Sequence, residues 1–305
     1  MNPEQDSALR EAYRRHHAEG VALVRSGELR EAQASFEAAL QQAGWLGDPR
    51  LQHEAQANLS MVSLQLGEDR KAEAGLREIL LNSRNPRTLF GAAYNLAVSL
   101  RKQGKYERAR FYAGKAMESA GRVRDASNRA GCHNLLGNIL MNESRLDEAL
   151  VEYRRSLRIR RRQKGDHRFS IAILRENIGY TYLLKRQFRR GASMIARALT
   201  IASEAGARRL VAESYQDLCY AWMQMGHYRS ATSFGEKALE IACESGYPDV
   251  EKNCYYLLGE TAHLAGRSEE RDRHFGSLQR LHPELPFLRE FLMAFDLSDI
   301  ITLKR

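Results

Sequence analysis

The stretch Leu136-Gly-Asn-Ile-Leu-Met-Asn-Glu-Ser-Arg-Leu-Asp-Glu-Ala-Leu150 decides the fold. Apolar residues fall at helical spacing on both sides of Ser144, and two small residues, Gly137 and Ala149, flank that break. Small side chains at such places let two helices approach closely, where Leu or Phe would hold them apart. The stretch reads as the elbow of a helical hairpin.

Working outward, the same pattern recurs along the chain. The elbow position is Gly27, Gly67, Gly104, Ser144, Arg186, Gly226 and Gly266, with spacings of 40, 37, 40, 42, 40 and 40 residues. Before each elbow stands a small residue: Gly20, Ser60, Ala97, Gly137, Gly179, Cys219 and Gly259. After it come Ala32, Ala72, Ala109, Ala149, Gly191 and Ala231, and then Arg271, where the pattern fails. Leu59, Leu96, Leu136, Ile178, Leu218 and Leu258 precede the first small position, with Glu19 in the first segment. On the second helices Phe36, Leu76, Tyr153, Ile195 and Phe275 are matched, followed by Leu40, Leu80, Leu157, Leu199 and Leu239. Pairs at i and i+4 mark one buried helical face. Self-similarity at this period predicts an all-α solenoid of about seven helix pairs, right-handed, over residues 1–283.

These segments, together with Leu258-Gly-Glu-Thr-Ala-His-Leu-Ala-Gly266, resemble tetratricopeptide repeats. The resemblance covers roughly residues 10 to 283. Its period near 40, longer than the usual 34, is similar to the kinesin light chain and Pins/LGN scaffolds, bacterial Rap regulators and MalT-type sensor domains. Departures from the pattern are Glu19, Asp69 and Arg271.

Residues 284–305 are expected to form a cap. His282-Pro283-Glu284-Leu285-Pro286 stops a helix, because proline cannot continue one. Leu288, Phe291, Leu292 and Phe295 then share a face, and the apolar end Ile300-Ile-Thr-Leu-Lys-Arg305 is expected to dock on this cap or on a partner.

The residue just before each recurring Leu lies on another helical face, turned by about 100°. It is Asn58, Asn95 and Asn177 in repeats two, three and five, with Asn134 and Asn138 flanking the place in repeat four. Asparagine is a mediocre helix former, and its amide offers both a donor and an acceptor, which suits the backbone of an extended peptide. In the kinesin light chain and Pins/LGN scaffolds, asparagines at this position line a concave groove, and the resemblance implies the same here. The alternative is that these amides bond helix to helix. The stripe continues through Tyr94, Arg101, Tyr180, Gln216, Tyr220, Tyr256 and Glu260.

The chain has 47 Lys and Arg against 38 Asp and Glu, a formal +9. Between Val151 and Arg168 eight basic residues face only Glu152 and Asp166. Arg154, Arg155, Arg158, Arg161 and Arg162 are expected on the outer side of a helix whose inner side is Leu150, Tyr153 and Leu157. Such a patch serves either as a solvated face or as a site for an acidic protein segment or nucleic acid. Protein ranks ahead of nucleic acid because no interleaved aromatic platform accompanies the arginines.

No phosphate-binding Gly-Lys loop, nucleophile elbow, HExxH helix or dinucleotide fingerprint occurs, so no enzyme, cofactor or metal site is expected. His16 and His17 lack a ligand partner at useful spacing, and Cys132, Cys219, Cys243 and Cys254 read as buried packing residues. Met1-Asn-Pro-Glu-Gln-Asp-Ser has no basic start followed by an apolar run, and Leu89–Leu100 is too short to span a bilayer, which predicts a cytoplasmic protein away from membranes. The resulting expectation is a protein-binding scaffold or adaptor for an extended peptide. Two alternatives stand beside it: a Rap-like peptide-sensing regulator, and a nucleic-acid binder acting through the basic run. Partner identity and oligomeric state are not encoded in any motif.

Overall fold

Four of the six prolines begin helices: Pro3, Pro49, Pro86 and Pro248 each occupy the first helical turn. Their fixed φ suits that place and the missing N–H costs nothing there. Asn2 forms a reciprocal capping box with Gln5, Asp48 accepts from the backbone N–H of Arg50 and Leu51, and Asn85 accepts from that of Arg87. Each such cap contributes about 1 kcal/mol.

The computed structural model describes residues 2–294, and among these there are fifteen helices and no strands. They fall into two units, Met1–Arg145 and Leu146–Arg305. In the first unit lie α1 (Pro3–Ser26), α2 (Leu29–Leu46), α3 (Pro49–Gln65), α4 (Asp69–Asn82), α5 (Pro86–Lys102), α6 (Tyr106–Arg122) and α7 (Ala126–Asn142). In the second lie α8 (Leu146–Arg162), α9 (Arg168–Leu184), α10 (Phe188–Glu204), α11 (Arg208–Gln224), α12 (Tyr228–Ser245), α13 (Pro248–Leu264), α14 (Ser268–Leu281) and α15 (Leu288–Ala294). Within each unit the helices pack as consecutive pairs, each element against its neighbours one or two places along the chain, as in a solenoid.

All seven elbow residues adopt the left-handed conformation, with φ of 87°, 78°, 73°, 76° and 72° at the glycines, 59° at Ser144 and 57° at Arg186. The geometry closes the helix in a repeated way. The N–H after the elbow reaches back to a carbonyl of the last turn, as in Lys105 N to Leu100 O at 2.9 Å and Gln187 N to Tyr182 O at 2.9 Å. These bonds satisfy carbonyls that would otherwise be orphaned at a helix end.

The small positions are buried as expected, from Ser60, Ala97 and Cys219 on the first helices to Ala32, Ala72, Ala109, Ala149 and Ala231 on the second. Phe36, Ile195 and Phe275 lie against Gly20, Gly179 and Gly259 of their paired helices, and Leu76 and Tyr153 are also buried. Leu40, Leu80, Leu199 and Leu239 are only half-buried, so that second row is a rim of the core. In repeat four the register slips by one. Leu135 is buried and Leu136 only partly so, which explains why its asparagines flank the expected place instead of occupying it.

Asp69 stands where five of the other six second helices begin with Leu, Tyr or Phe, at the first residue of α4. A carboxylate there meets the positive end of the helix dipole, which offsets the lost apolar contact. Cys132, Cys219 and Cys254 are buried and all four cysteines are free thiols, but Cys243 is exposed near the end of α12, contrary to the sequence expectation. Burial pushes the Cys132 and Cys219 thiols up to about 12, so both stay protonated at neutral pH.

Beyond α14 the described part of the expected cap, through α15, is open. Leu292 is buried, yet Phe287 is 75% exposed and Phe291 48%. Phe295 and the apolar run 300–305 lie outside the described residues.

Candidate functional site

Asn58 sits half-buried on α3, and its Nδ2 lies 2.8 Å from Nε2 of His17 on α1. That ring stacks on Tyr13 at 5.6 Å and meets Phe36 edge-on at 5.9 Å. The first amide of the row is thus tied to the preceding repeat. His17, which reads from sequence as structural, is the group that orients it.

Asn95, at the matching position of α5, is different. It is half-buried, and its amide makes no hydrogen bond among the described residues. On the same helix, Tyr94 and Arg101 lie seven residues apart, almost in line along one face. Tyr94 packs beside Phe90 at 5.6 Å and against the Gly131 backbone of α7. Arg101 has its Nε buried without a hydrogen-bond partner, and no ion pair engages this side chain among the described residues. A buried donor left unpaired costs about 1–3 kcal/mol, so the position favours an acceptor arriving from outside the chain. Asn134 and Asn138 on α7 are half-buried and bonded within the fold.

In the second unit the corresponding stripe is closed. Tyr180, Gln216, Tyr256 and Glu260 are all buried, with Gln216 accepting from Asn253 Nδ2 at 3.3 Å. Asn177 and Tyr220 remain half-buried, the latter edge-on to Phe188 at 6.1 Å. These buried side chains are packing and bonding partners, and they offer little open surface to a ligand.

Sequence reasoning missed one member of the row. Asp217 stands immediately before Leu218, the place taken elsewhere by asparagine, and is fully buried. Burial first, and then the nearby Glu213 charge, push its carboxyl well above the usual aspartate range, while Gln216 partly opposes the shift. Glu213 is raised too, chiefly by burial, although Arg209 pairs with it at 3.0 Å. The signal was its position in the repeat, which an eye for amides passes over.

The basic run lies on α8. Arg154, Arg155, Arg158, Arg161 and Arg162 are exposed on α8 while Tyr153 and Leu157 are buried. Arg154 donates to the Tyr182 hydroxyl at 2.7 Å and Arg155 pairs with Glu152. Arg158, Arg161 and Arg162 have no ion pair among the described residues. Arg175 of α9 holds its proton less tightly than usual, through burial first and then the charges of Arg161 and Arg197.

With this geometry in hand, the repeat can be compared with known proteins. Residues 91–125 and 130–163 each match a tetratricopeptide repeat family model. These two segments are tetratricopeptide repeats. No curated protein sequence matches the chain. Among solved structures, the chain is similar to the apo form of RapI, with a TM-score of 0.69 and 11% identity over 89% of this chain and 77% of that one. A Rap protein complexed with competence and sporulation factor gives 0.60 and 12% identity over 93% and 99%. BtubC (BKLC) from P. vanneervenii gives 0.59 and 19% identity over 77% and 92%. At these identities the likeness is one of fold. The two tetratricopeptide repeats support a protein-interaction scaffold in general, and no helix among the described residues is long and apolar enough to cross a membrane.

Proposed function

We propose that the protein is an adaptor that holds an extended peptide segment along the first helices of unit 1. The unbonded, half-buried Asn95 amide carries this reading. An amide can take one N–H and give to one C=O of a passing peptide, whatever that peptide's sequence. Asn58 and Asn95 stand on α3 and α5, which touch directly. Packed helices are about 8–10 Å apart and an extended chain rises about 3.3 Å per residue. The two amides would therefore meet peptide residues about three apart. Tyr94 would supply an apolar wall, and Arg101 a cation for an acidic side chain or carbonyl. Asn134 and Asn138 would extend this contact surface only by releasing their present bonds. Within unit 2, Asn177 and Tyr220 would offer a contact of their own on the same condition, with Tyr180, Gln216 and Tyr256 as packing support.

The mechanism is preorganisation: a stiff stack holds donors and acceptors in place, so less ordering free energy is lost on binding. Affinity capture from the native cell, with Asn58→Ala plus Asn95→Ala compared against wild type, tests the reading. Loss of captured partner from the variant is expected, with its melting temperature measured alongside because the His17 bond is also removed. Unchanged capture removes the basis of the proposal. Supplying phosphorylated response regulators in the same assay distinguishes a Rap-like regulator, which would speed phosphate loss, from a passive adaptor.

A further inference from the structure

Unit 1 has a second concavity, unrelated to the amide row. It lies between α4 and α6, floored by Leu89 and Ala93 of α5, with a volume of about 470 Å³. On α5, Ala93 and Asn95 are two residues apart and so point about 200° away from one another. The cleft and the amide face are on nearly opposite sides of that helix.

Its walls expose unusually large apolar side chains. Leu81 of α4 is 83% exposed and Phe111 of α6 is 60% exposed, and both line the same cleft. Scattered exposed apolar residues need no explanation, but two contributed to one concavity by different helices do. Phe111 is held edge-on by Tyr112 at 5.2 Å, and Lys115 Nζ stands 5.8 Å from its ring centre.

The rim is cationic. Arg77, Lys115 and Arg122 line the cleft against a single carboxylate, Glu118. Arg77 is engaged by Glu73 at 2.6 Å and Lys115 by Glu118 at 3.2 Å, whereas Arg122 is exposed and has no ion pair among the described residues. This charge selects the occupant. A second copy of the chain carries +9 and would bring like charge. The chain's own apolar end closes on Lys304-Arg305, with the same objection. A partner with carboxylates around apolar anchors satisfies both the walls and the rim.

We infer that the α4–α5–α6 cleft docks an acidic amphipathic helix of a partner protein, its apolar anchors between Leu81 and Phe111 and its carboxylates toward Arg122 and Lys115. A groove between two helices accepts a third helix by the same ridge packing that builds the array, and recognition of this type reads anchors spaced i, i+3, i+4 and i+7.

The probe is a fluorescein-labelled synthetic peptide about four helical turns long, with Leu and Phe at that spacing and Glu elsewhere. A counterpart carries Lys for every Glu. Fluorescence anisotropy with the full chain is expected to show saturable binding of the Glu peptide, at least about tenfold tighter than the Lys peptide. Leu81→Ser with Phe111→Ser should weaken it about tenfold or more, and Arg122→Glu, a fully surface change, should narrow the gap between the peptides. Asn58→Ala with Asn95→Ala should leave the affinity unaltered, which separates this site from the amide row. The inference is overturned if wild type does not bind the Glu peptide, if both peptides bind alike, if the serine pair and Arg122→Glu change nothing, or if the asparagine pair abolishes binding. It is also overturned if sedimentation shows a dimer that the serine pair dissolves, since the occupant is then a second copy.

Discussion

Gly179 and Gly191 meet across α9 and α10 with no side chain between them. A β-carbon on Gly191 would stand 2.9 Å from the Gly179 carbonyl oxygen, and one on Gly179 would stand 3.0 Å from that of Gly191 and 2.5 Å from Ile195 Cγ1. Neither backbone can yield. Alanine fills the position of Gly191 in five other repeats, so by the repeat pattern Gly191→Ala looks harmless. Because a β-carbon here meets the Gly179 carbonyl as well as the Leu183 side chain, it should cost about 2–3 kcal/mol. Denaturant unfolding of the variant checks this, and a loss under half a kcal/mol would mean the two helices separate freely.

Ser144 and Arg186 carry the opposite expectation. Both are L-residues held at positive φ in elbows that are otherwise glycine, a conformation costing about 1 kcal/mol for a residue with a β-carbon. Ser144→Gly should raise stability by about half a kcal/mol once the extra freedom glycine gives the unfolded chain is deducted. A higher melting temperature is the expected reading; Arg186→Gly tests the same geometry while also removing the contacts of a longer side chain.

Asp217 gives a pH dependence of defined sign. Its folded-state pKa lies above the ordinary 3.8. Below that value the carboxyl is protonated in both states and costs nothing through ionisation. As pH rises past it the unfolded chain ionises first, and stability falls by up to about 1.4 kcal/mol per pH unit until the folded-state pKa is reached. Asp217→Asn should therefore melt higher than wild type near neutral pH, with the advantage vanishing below about pH 4. A variant less stable at neutral pH would show instead that the ionised carboxylate is well solvated by its neighbours.

The unpaired arginines of α8 should make that face a weak, sequence-indifferent polyanion site. Three neutralised phosphates give a slope near −2 to −3 in log affinity against log salt, at about 0.7–0.9 per contact. Arg158→Ala, Arg161→Ala and Arg162→Ala together should flatten it for single-stranded DNA or heparin. Binding that survives high salt would exclude this electrostatic account.

Much of this was legible from residues alone, for a physical reason. The small residues and elbows obey local sterics, so Gly20, Gly179 and Gly259 announce close helix packing and the seven elbows announce left-handed backbone. Depth within the stack is not local. Whether Tyr180 or Tyr94 lies open depends on how far the next helix overlaps, and nothing in either residue's neighbours along the chain encodes that. The same limit hid the burial of Asp217 and the exposure of Cys243. The cleft beside Phe111 also escaped notice, since it is assembled from three helices whose outward residues look ordinary one at a time.

Within each unit a helix touches only those one or two places away in the chain. Contacts of such short reach require little loop closure, so a nascent chain can lock one hairpin before the next has left the ribosome. Injury should stay equally parochial: opening at α14 need not disturb α9, and a protease that nicks one elbow would find the neighbouring turns still shut.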